Sequence, residues 1–312
     1  MDNLMIFSGN ANVELAKKIC KKLNKKLSDA LVSRFSEGEI RVKINDNVRG
    51  KDVFVIQPTS SPPNENLMEL LILIDALKRA SAHRVTAVIP YYGYARQDRK
   101  DQPRVPITAK LVANLITRAG ANRILTVDLH AGQIQGFFDI PLDHLFAVHV
   151  FVEYFNKKKL KNIVVVAPDV GGIKMARAYA KKLGAGLAIV DKRRTSPEST
   201  EVMHIMGEVQ GKTAVIIDDI IATGGSLIEA SSALKKKGVK DIYAAITHGV
   251  LSNSAVEKVE KSCLKELLIT DTIPFLFKSK VKKIKILSVA DVLAEAIKRI
   301  HKEQSISCLF YE

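Results

Sequence analysis

The chain has 312 residues, 47% hydrophobic and 26% charged, with 48 Lys and Arg against 33 Asp and Glu for a net charge of +15. That composition excludes a disordered chain, and the length suits two packed domains. The longest apolar stretch, residues 67–77, is interrupted by Glu69 and Asp75 and falls short of the run a bilayer requires, which argues against membrane spanning.

Short apolar runs alternate with helical patterns along the chain. Strands are predicted at 4–7, 30–35, 52–57, 84–90 and 123–128, with helices at 12–23, 64–80 and 107–119 between them. A helix over 151–161 leads into a second series of strands at 162–167, 186–190, 214–218, 241–247, 266–269 and 283–287, with helices at 172–183, 225–237, 253–262 and 289–303. Continuous runs such as Val164-Val165-Val166 and Val215-Ile216-Ile217 read as strands covered on both faces, hence as parallel sheet. Segments 39–44 and 201–206 alternate apolar with polar residues, as antiparallel flaps do. The expected fold is α/β: two domains, each a mostly parallel sheet flanked by helices, over residues 1–145 and 146–290. Residues 291–312 are expected to form a helix and tail that return to the first domain.

The positive charge is spread over Lys clusters at the ends of predicted helices, such as Lys21 and Lys22, Lys181 and Lys182, and residues 157–159 and 235–237. Cations are favoured there by the helix dipole, so these clusters read as solvated helix ends and no nucleic-acid partner is expected. The opening Met1-Asp2-Asn3 has neither a basic nor a long apolar region, and Cys20, Cys263 and Cys308 lie far apart without a C-x-x-C. A reducing, cytoplasmic setting is expected.

In open α/β sheets ligands bind beyond the carboxyl ends of the strands, so the loops following strands carry the candidate chemistry. The strand at 214–218 delivers two adjacent acids, Asp218 and Asp219, and is followed by Ala222-Thr223-Gly224-Gly225-Ser226 and a helix. Glycines admit a phosphate close to the backbone, the helix N-terminus favours its charge, and the acids suit sugar hydroxyls or a metal. Asp169-Val170-Gly171-Gly172 repeats that logic with one acid, although Asp169 would equally serve as a helix cap. Residues 94–106 concentrate Arg96, Arg99, Lys100 and Arg104 with Gln97, Asp98 and Asp101, a set suited to polyphosphate or to a solvated ion-paired loop. His130 follows a strand beside Asp128, where a structural hydrogen bond is the commoner role. Asp191-Lys192-Arg193-Arg194 leads a polar segment with few apolar anchors, as a lid over a developing phosphoryl charge would.

The 218–226 loop resembles the phosphoribosyl-diphosphate loop of type I phosphoribosyltransferases. Together with Arg34-Phe35-Ser36-Glu37-Gly38-Glu39, Tyr94-Ala95-Arg96-Gln97-Asp98-Arg99 and Asp128-Leu129-His130, it makes the chain similar to class I ribose-phosphate pyrophosphokinases over residues 3–311. The resemblance implies transfer of the β,γ-diphosphoryl group of ATP to O1 of ribose 5-phosphate. It implies ATP contacts at Phe35, Glu37, Gly38, Glu39, Arg96, Gln97 and Arg99, with Phe35 as an adenine platform. It further implies a ribose 5-phosphate site at Asp218, Asp219, Ala222, Thr223, Gly224, Gly225, Ser226 and Arg194, and a diphosphate loop at Asp169, Gly171 and Gly172. His130 and Asp169 become Mg²⁺ ligands, and Lys192 and Arg194 catalytic residues. Inorganic phosphate as activator, a homohexamer, and regulatory residues Arg49, Ser305, Ser307 and Phe310 follow from the same resemblance. Ala222 stands where most of these enzymes carry Asp. A phosphoribosyltransferase and a catalytically silent regulatory paralogue are the alternatives; the first gives no reason for the cation-rich loop at 94–106.

Overall fold

The structure is a computed structural model describing residues 3–193, 202–251, 254–277 and 281–309. The chain divides into two compact units, one of Met1–Phe146, Thr272–Pro274 and Ser288–Glu312, the other of Ala147–Asp271 and Phe275–Leu287.

The first unit begins with β1 (Leu4–Ser8) and α1 (Val13–Lys22), whose start is fixed by Asn12, its side chain accepting the N–H of Leu15 at 3.2 Å. A hairpin of β2 (Ala30–Arg34) and β3 (Ile40–Ile44) follows, then β4 (Asp52–Ile56), α2 (Pro63–Arg79), β5 (Arg84–Ile89), α3 (Thr108–Ala119), β6 (Arg123–Val127) and β7 (Leu142–Leu145). The sheet runs β1-β4-β5-β6-β7, every neighbour parallel. All five residues of β4 are buried: the apolar run 53–56 because helices cover both faces, and Asp52 at its start through its bonds to Arg84. Leu70, Leu73, Ile74 and Leu77 of α2 meet Val53 and Val55 in the core. Each such fully buried side chain contributes roughly 1.5–3 kcal/mol relative to exposure.

Two features depart from the sequence reading. The β2–β3 pair forms a two-stranded sheet of its own, laid against the core through Ala30, Val32, Val42 and Ile44, instead of a flap on the parallel sheet. Strand β7 has no counterpart in the predicted elements: Leu142-Asp143-His144-Leu145 is short and carries two polar residues, and only pairing with β6 makes it a strand.

In the second unit α4 (Val148–Lys158) begins three residues before the predicted helix. It is followed by β8 (Ile163–Ala167), α5 (Ile173–Leu183), β9 (Gly186–Arg193), β10 (Val202–Met206), β11 (Thr213–Ile221), α6 (Gly225–Lys236), β12 (Asp241–Gly249), α7 (Ala255–Lys261), β13 (Glu266–Thr270) and β14 (Ile284–Leu287). The seven strands are ordered β10-β9-β8-β11-β12-β13-β14, with only β10 antiparallel. Pairing with β10 extends β9 through Asp191, Lys192 and Arg193, so the base of the expected lid is strand. Glu266 at the start of β13 accepts from Tyr154 at 2.8 Å and lies 3.1 Å from the Lys285 ammonium, joining α4, β13 and β14.

The last helix, α8 (Ala290–His301), belongs to the first unit and packs beside α1, where Lys22 and Asp291 pair at 2.6 Å. Its C-terminus is tied to the amino end of the sheet through Asp52. That carboxylate accepts from Arg84 at 2.8 and 2.7 Å and meets Nδ1 of His301 at 2.8 Å, while Arg84 also donates to the carbonyl of Ile300 at 3.1 Å. Removing one member of a largely buried pair strands the other charge, so Asp52→Ala is expected to cost about 3 kcal/mol in chemical denaturation. Adding Arg84→Ala to that variant is expected to cost far less than the same change in the wild type.

Candidate functional site

Strand β11 outruns its neighbour. Pairing with β8 ends at Ile216 opposite Val166, whereas pairing with β12 continues to Ile221 opposite Gly249. Asp218 and Asp219 therefore sit on an overhang beyond the paired end of β8, and the strand that the sequence reading ends at Asp218 runs on to Ile221. Asp219 is 8% exposed. Its N–H donates to Oδ1 of Asp218 at 2.9 Å. Burial first, and then the adjacent charge of Asp219, hold the Asp218 carboxyl well above the usual carboxylate range, with Asp169 adding to the effect.

The strand ends at Ile221, and the chain turns through Ala222 and Thr223 to Gly224, whose φ of 75° is a left-handed conformation that a side chain would strain. Helix α6 then starts at Gly225 without a side-chain cap and without an acid in its first turn. Thr223 and Ser226 are exposed on this turn. Free N–H groups, two hydroxyls and a dipole of the right sign form an anion cradle one turn from two carboxylates. Asp169 closes the turn that precedes α5, Oδ1 accepting the N–H of Gly172 at 2.9 Å, while the helix itself starts at Ile173 without the side-chain cap considered for it. Asp169 stays exposed, as does Gly171, so its second oxygen faces solvent chemistry at the end of β8. A Cβ on Gly171 would lie 3.1 Å from that same Oδ1, tighter than ordinary contact.

In the first unit a cleft of about 340 Å³ is lined by residues 96–99, Asp101, Gln102, Val105, Pro106 and His130. Two of the four expected cations, Arg96 and Arg99, belong to its wall; Lys100 and Arg104 do not. Asp98 and Asp101 offset the two arginines, and Asp98 accepts from Gln133 at 2.7 Å. His130 reaches this wall because Asp128, with φ of 38°, turns the chain sharply after β6. Strand β7 holds the turn: the N–H of Asp128 donates to the carbonyl of Leu145 at 2.9 Å, and that of Leu129 to Nε2 of His144 at 2.8 Å. His144 is thus present as the Nδ1-protonated form. Residues in such strained conformations concentrate at functional sites.

The ATP residues expected on the hairpin are placed elsewhere. Phe35, 46% exposed, and Glu37, Gly38 and Glu39 occupy the β2–β3 tip and are not part of the cleft wall. One face of the Phe35 ring carries the guanidinium of Arg41, 5.5 Å from the ring centroid. Arg49 is exposed, and the hydroxyl of Ser305 donates to Ser307 at 2.9 Å. Arg194 and Phe310 lie outside the described residues, as does the side chain of Lys192. Among the described residues no three His, Cys, Asp or Glu side chains converge as a preformed metal site. Asp101, Gln102 and His144 gained no site role from the sequence; Asp101 and Gln102 stand beside the basic motif, while His144 gives no signal before β7 is seen to pair.

Two family models match the chain. The N-terminal domain of ribose phosphate pyrophosphokinase matches residues 4–120, and the phosphoribosyl synthetase-associated domain matches residues 193–311. The ribose-phosphate pyrophosphokinase of Fusobacterium nucleatum is 56% identical over 311 residues, covering 99% of this chain and 98% of that protein. That of Bacillus subtilis is 54% identical over 308 residues, covering 99% and 97%. The crystal structure of phosphoribosylpyrophosphate synthetase from Mycobacterium smegmatis superposes with a TM-score of 0.92 at 42% identity, covering 96% of this chain and 99% of that one. With relatives more than half identical from end to end and an anion cradle beside paired acids at the end of β11, the chain belongs to the ribose-phosphate pyrophosphokinase family.

Proposed function

We propose that this chain makes phosphoribosyl diphosphate by moving the β,γ-diphosphoryl group of ATP onto the O1 hydroxyl of ribose 5-phosphate, releasing AMP. The observation that carries the reading is the pairing, at the carboxyl end of β11, of two neighbouring acids with an uncapped helix N-terminus. The α6 N-terminus, Thr223 and Ser226 take the 5-phosphate, and Asp218 and Asp219 accept hydroxyl protons of the ribose. Arg96, Gln97 and Arg99 bind ATP through its phosphates, with Phe35, Glu37 and Glu39 assigned to the adenine end. Lys192 and Arg194 neutralise the diphosphoryl group in transit, because phosphoryl-type transfer depends mainly on positioning and charge.

Mg²⁺ suits the donor set. Arg96 and Arg99 are offset by Asp98 and Asp101, so the cleft wall alone leaves a triphosphate largely uncompensated, and a divalent cation would supply the missing charge. His130 in the first unit and Asp169 in the second would each offer a divalent cation one ligand within its own unit, with water and phosphate oxygens completing the shell. This reading includes activation by inorganic phosphate, a homohexamer with regulatory contacts from Arg49, Ser305, Ser307 and Phe310, and a cytoplasmic setting. Its support is the family membership, the three unpaired cysteines, and the lack of any described helix long and apolar enough to cross a membrane.

Incubated with ATP, Mg²⁺ and phosphate, the protein is expected to release AMP only when ribose 5-phosphate is added; no such AMP from folded protein would sink the proposal. Ala222→Asp restores a carboxylate at the sugar and is expected to lower the KM for ribose 5-phosphate about 3–10-fold, the net worth of one ordinary hydrogen bond, with turnover changing less. Asp218 supplies a pH test. Its pKa is raised in the fold, so the native state retains a proton that the unfolded chain releases near pH 4, and stability falls as pH rises from there through the folded value. Asp218→Asn removes that loss. Its melting temperature is expected to exceed the wild type's by about 2–4 °C at pH 8.5 and by less at pH 5, and a gap that shrinks as pH rises contradicts the assignment.

A further inference from the structure

The first four residues of the loop between β4 and α2, Gln57 to Ser60, are buried, while Ser61 and Pro62 reach the surface. Gln57 and Thr59 are completely buried and Ser60 is 3% exposed. Beneath them the buried Glu69 accepts from Gln57 Nε2 at 2.7 Å and from the N–H of Asn10 at 2.5 Å, while Asn66 donates to the carbonyl of Ser60 at 2.9 Å. Satisfied polar networks of this kind hold one geometry.

What this rigid loop touches is the root of the segment that carries Arg96 and Gln97. The Thr59 hydroxyl accepts the N–H of Gly93 at 2.7 Å and approaches the carbonyl of Tyr91 at 3.3 Å, and the Thr59 N–H donates to that carbonyl at 3.0 Å. Contact is close enough that a Cβ on Gly93 would stand 2.3 Å from the Thr59 carbonyl oxygen, which confines the position to glycine. In the next turn Asn64 accepts from the Tyr94 hydroxyl, and Glu65 pairs with Arg34, the residue before Phe35. At its far end the segment is held by α3, Ala109 N–H donating to the Gln97 carbonyl at 3.1 Å and the Tyr92 hydroxyl to the Ala109 carbonyl at 2.8 Å.

We propose that Thr59 is a positioning residue for nucleotide binding, its hydroxyl fixing the backbone at Gly93 and so the direction in which Arg96 and Gln97 leave the sheet. The inference rests on the cleft at residues 96–106 being the ATP site. Thr59 itself is buried and does not face the cleft; it acts through one buried N–H. Loss of the hydroxyl leaves that N–H without an acceptor, and the segment shifts to find another.

Thr59→Val keeps the shape and removes the hydroxyl. It is expected to weaken binding of a non-hydrolysable ATP analogue in calorimetry about tenfold and to raise the KM for ATP alike, while the KM for ribose 5-phosphate and kcat change less than about twofold. Thr59→Ser restores the wild-type affinity. Unchanged ATP affinity, or an equal weakening for both substrates, overturns the proposal. Arg96→Ala separates the two layers: if it leaves ATP affinity intact, the reading of the cleft itself fails, whereas if it weakens ATP and Thr59→Val does not, only the role of Thr59 fails. Amide exchange in the wild type bears on the proposal even where Thr59→Val does not fold, since a Gly93 amide exchanging as fast as an exposed loop contradicts it.

Discussion

A parallel sheet covered by helices on both faces leaves polar chemistry one place to appear, the ends of its strands, and everything functional in this chain follows from that restriction. Strands β4, β5, β6, β8 and β11 are buried along nearly their whole length, and an ionised group in the middle of them would lack both solvent and partner. The charge-bearing residues accordingly sit where strands stop: residues 94–106 after β5, His130 after β6, Asp169 after β8 and the acid pair at the end of β11. The opposite edge of the first sheet is structural, with Asp52, Arg84 and His301 tying the last helix to the strands' amino ends.

Within that frame the two units solve different electrostatic problems. The second holds two carboxylates side by side, one of them 8% exposed, at a cost in self-repulsion that hydrogen-bond donors would relieve. Near them an uncapped helix start offers N–H groups to an anion, so one strand-turn-helix supplies the donors and acceptors that the proposed sugar phosphate would need. The first unit instead mixes both signs on one wall, Arg96 and Arg99 against Asp98 and Asp101, a surface neutral by itself and suited to a polyphosphate that arrives with a cation.

The strong positive charge of the chain has a separate origin. Each of the eight described α-helices ends in a turn carrying Lys or Arg, whatever its position in the fold. Those cations meet unsatisfied carbonyls and the negative end of the dipole, and their number grows with the number of helices. Net charge here reports architecture; the cations of the nucleotide chemistry are a small minority in one loop and one strand end.

The sequence by itself determined the alternation of strands and helices, the sites of the strand ends, and the residue types waiting there, because each is a local property of hydrophobic period and turn chemistry. Asp218, Asp219, Gly224, Asp169 and Arg96 were legible in that way, whereas a site role for His130 came only from the family resemblance. Tertiary pairing alone decided the rest. Strand β7 exists only as a neighbour of β6, and so the anchoring of the Asp128 turn by His144 had no sequence signal. Register against β12 carried β11 past β8 as far as Ile221, three residues beyond the predicted strand end. The approach of Thr59 to Gly93 joins residues 34 apart in the chain. Hydrogen bonds across neighbouring strands depend on which strands become neighbours, and no local pattern encodes that choice.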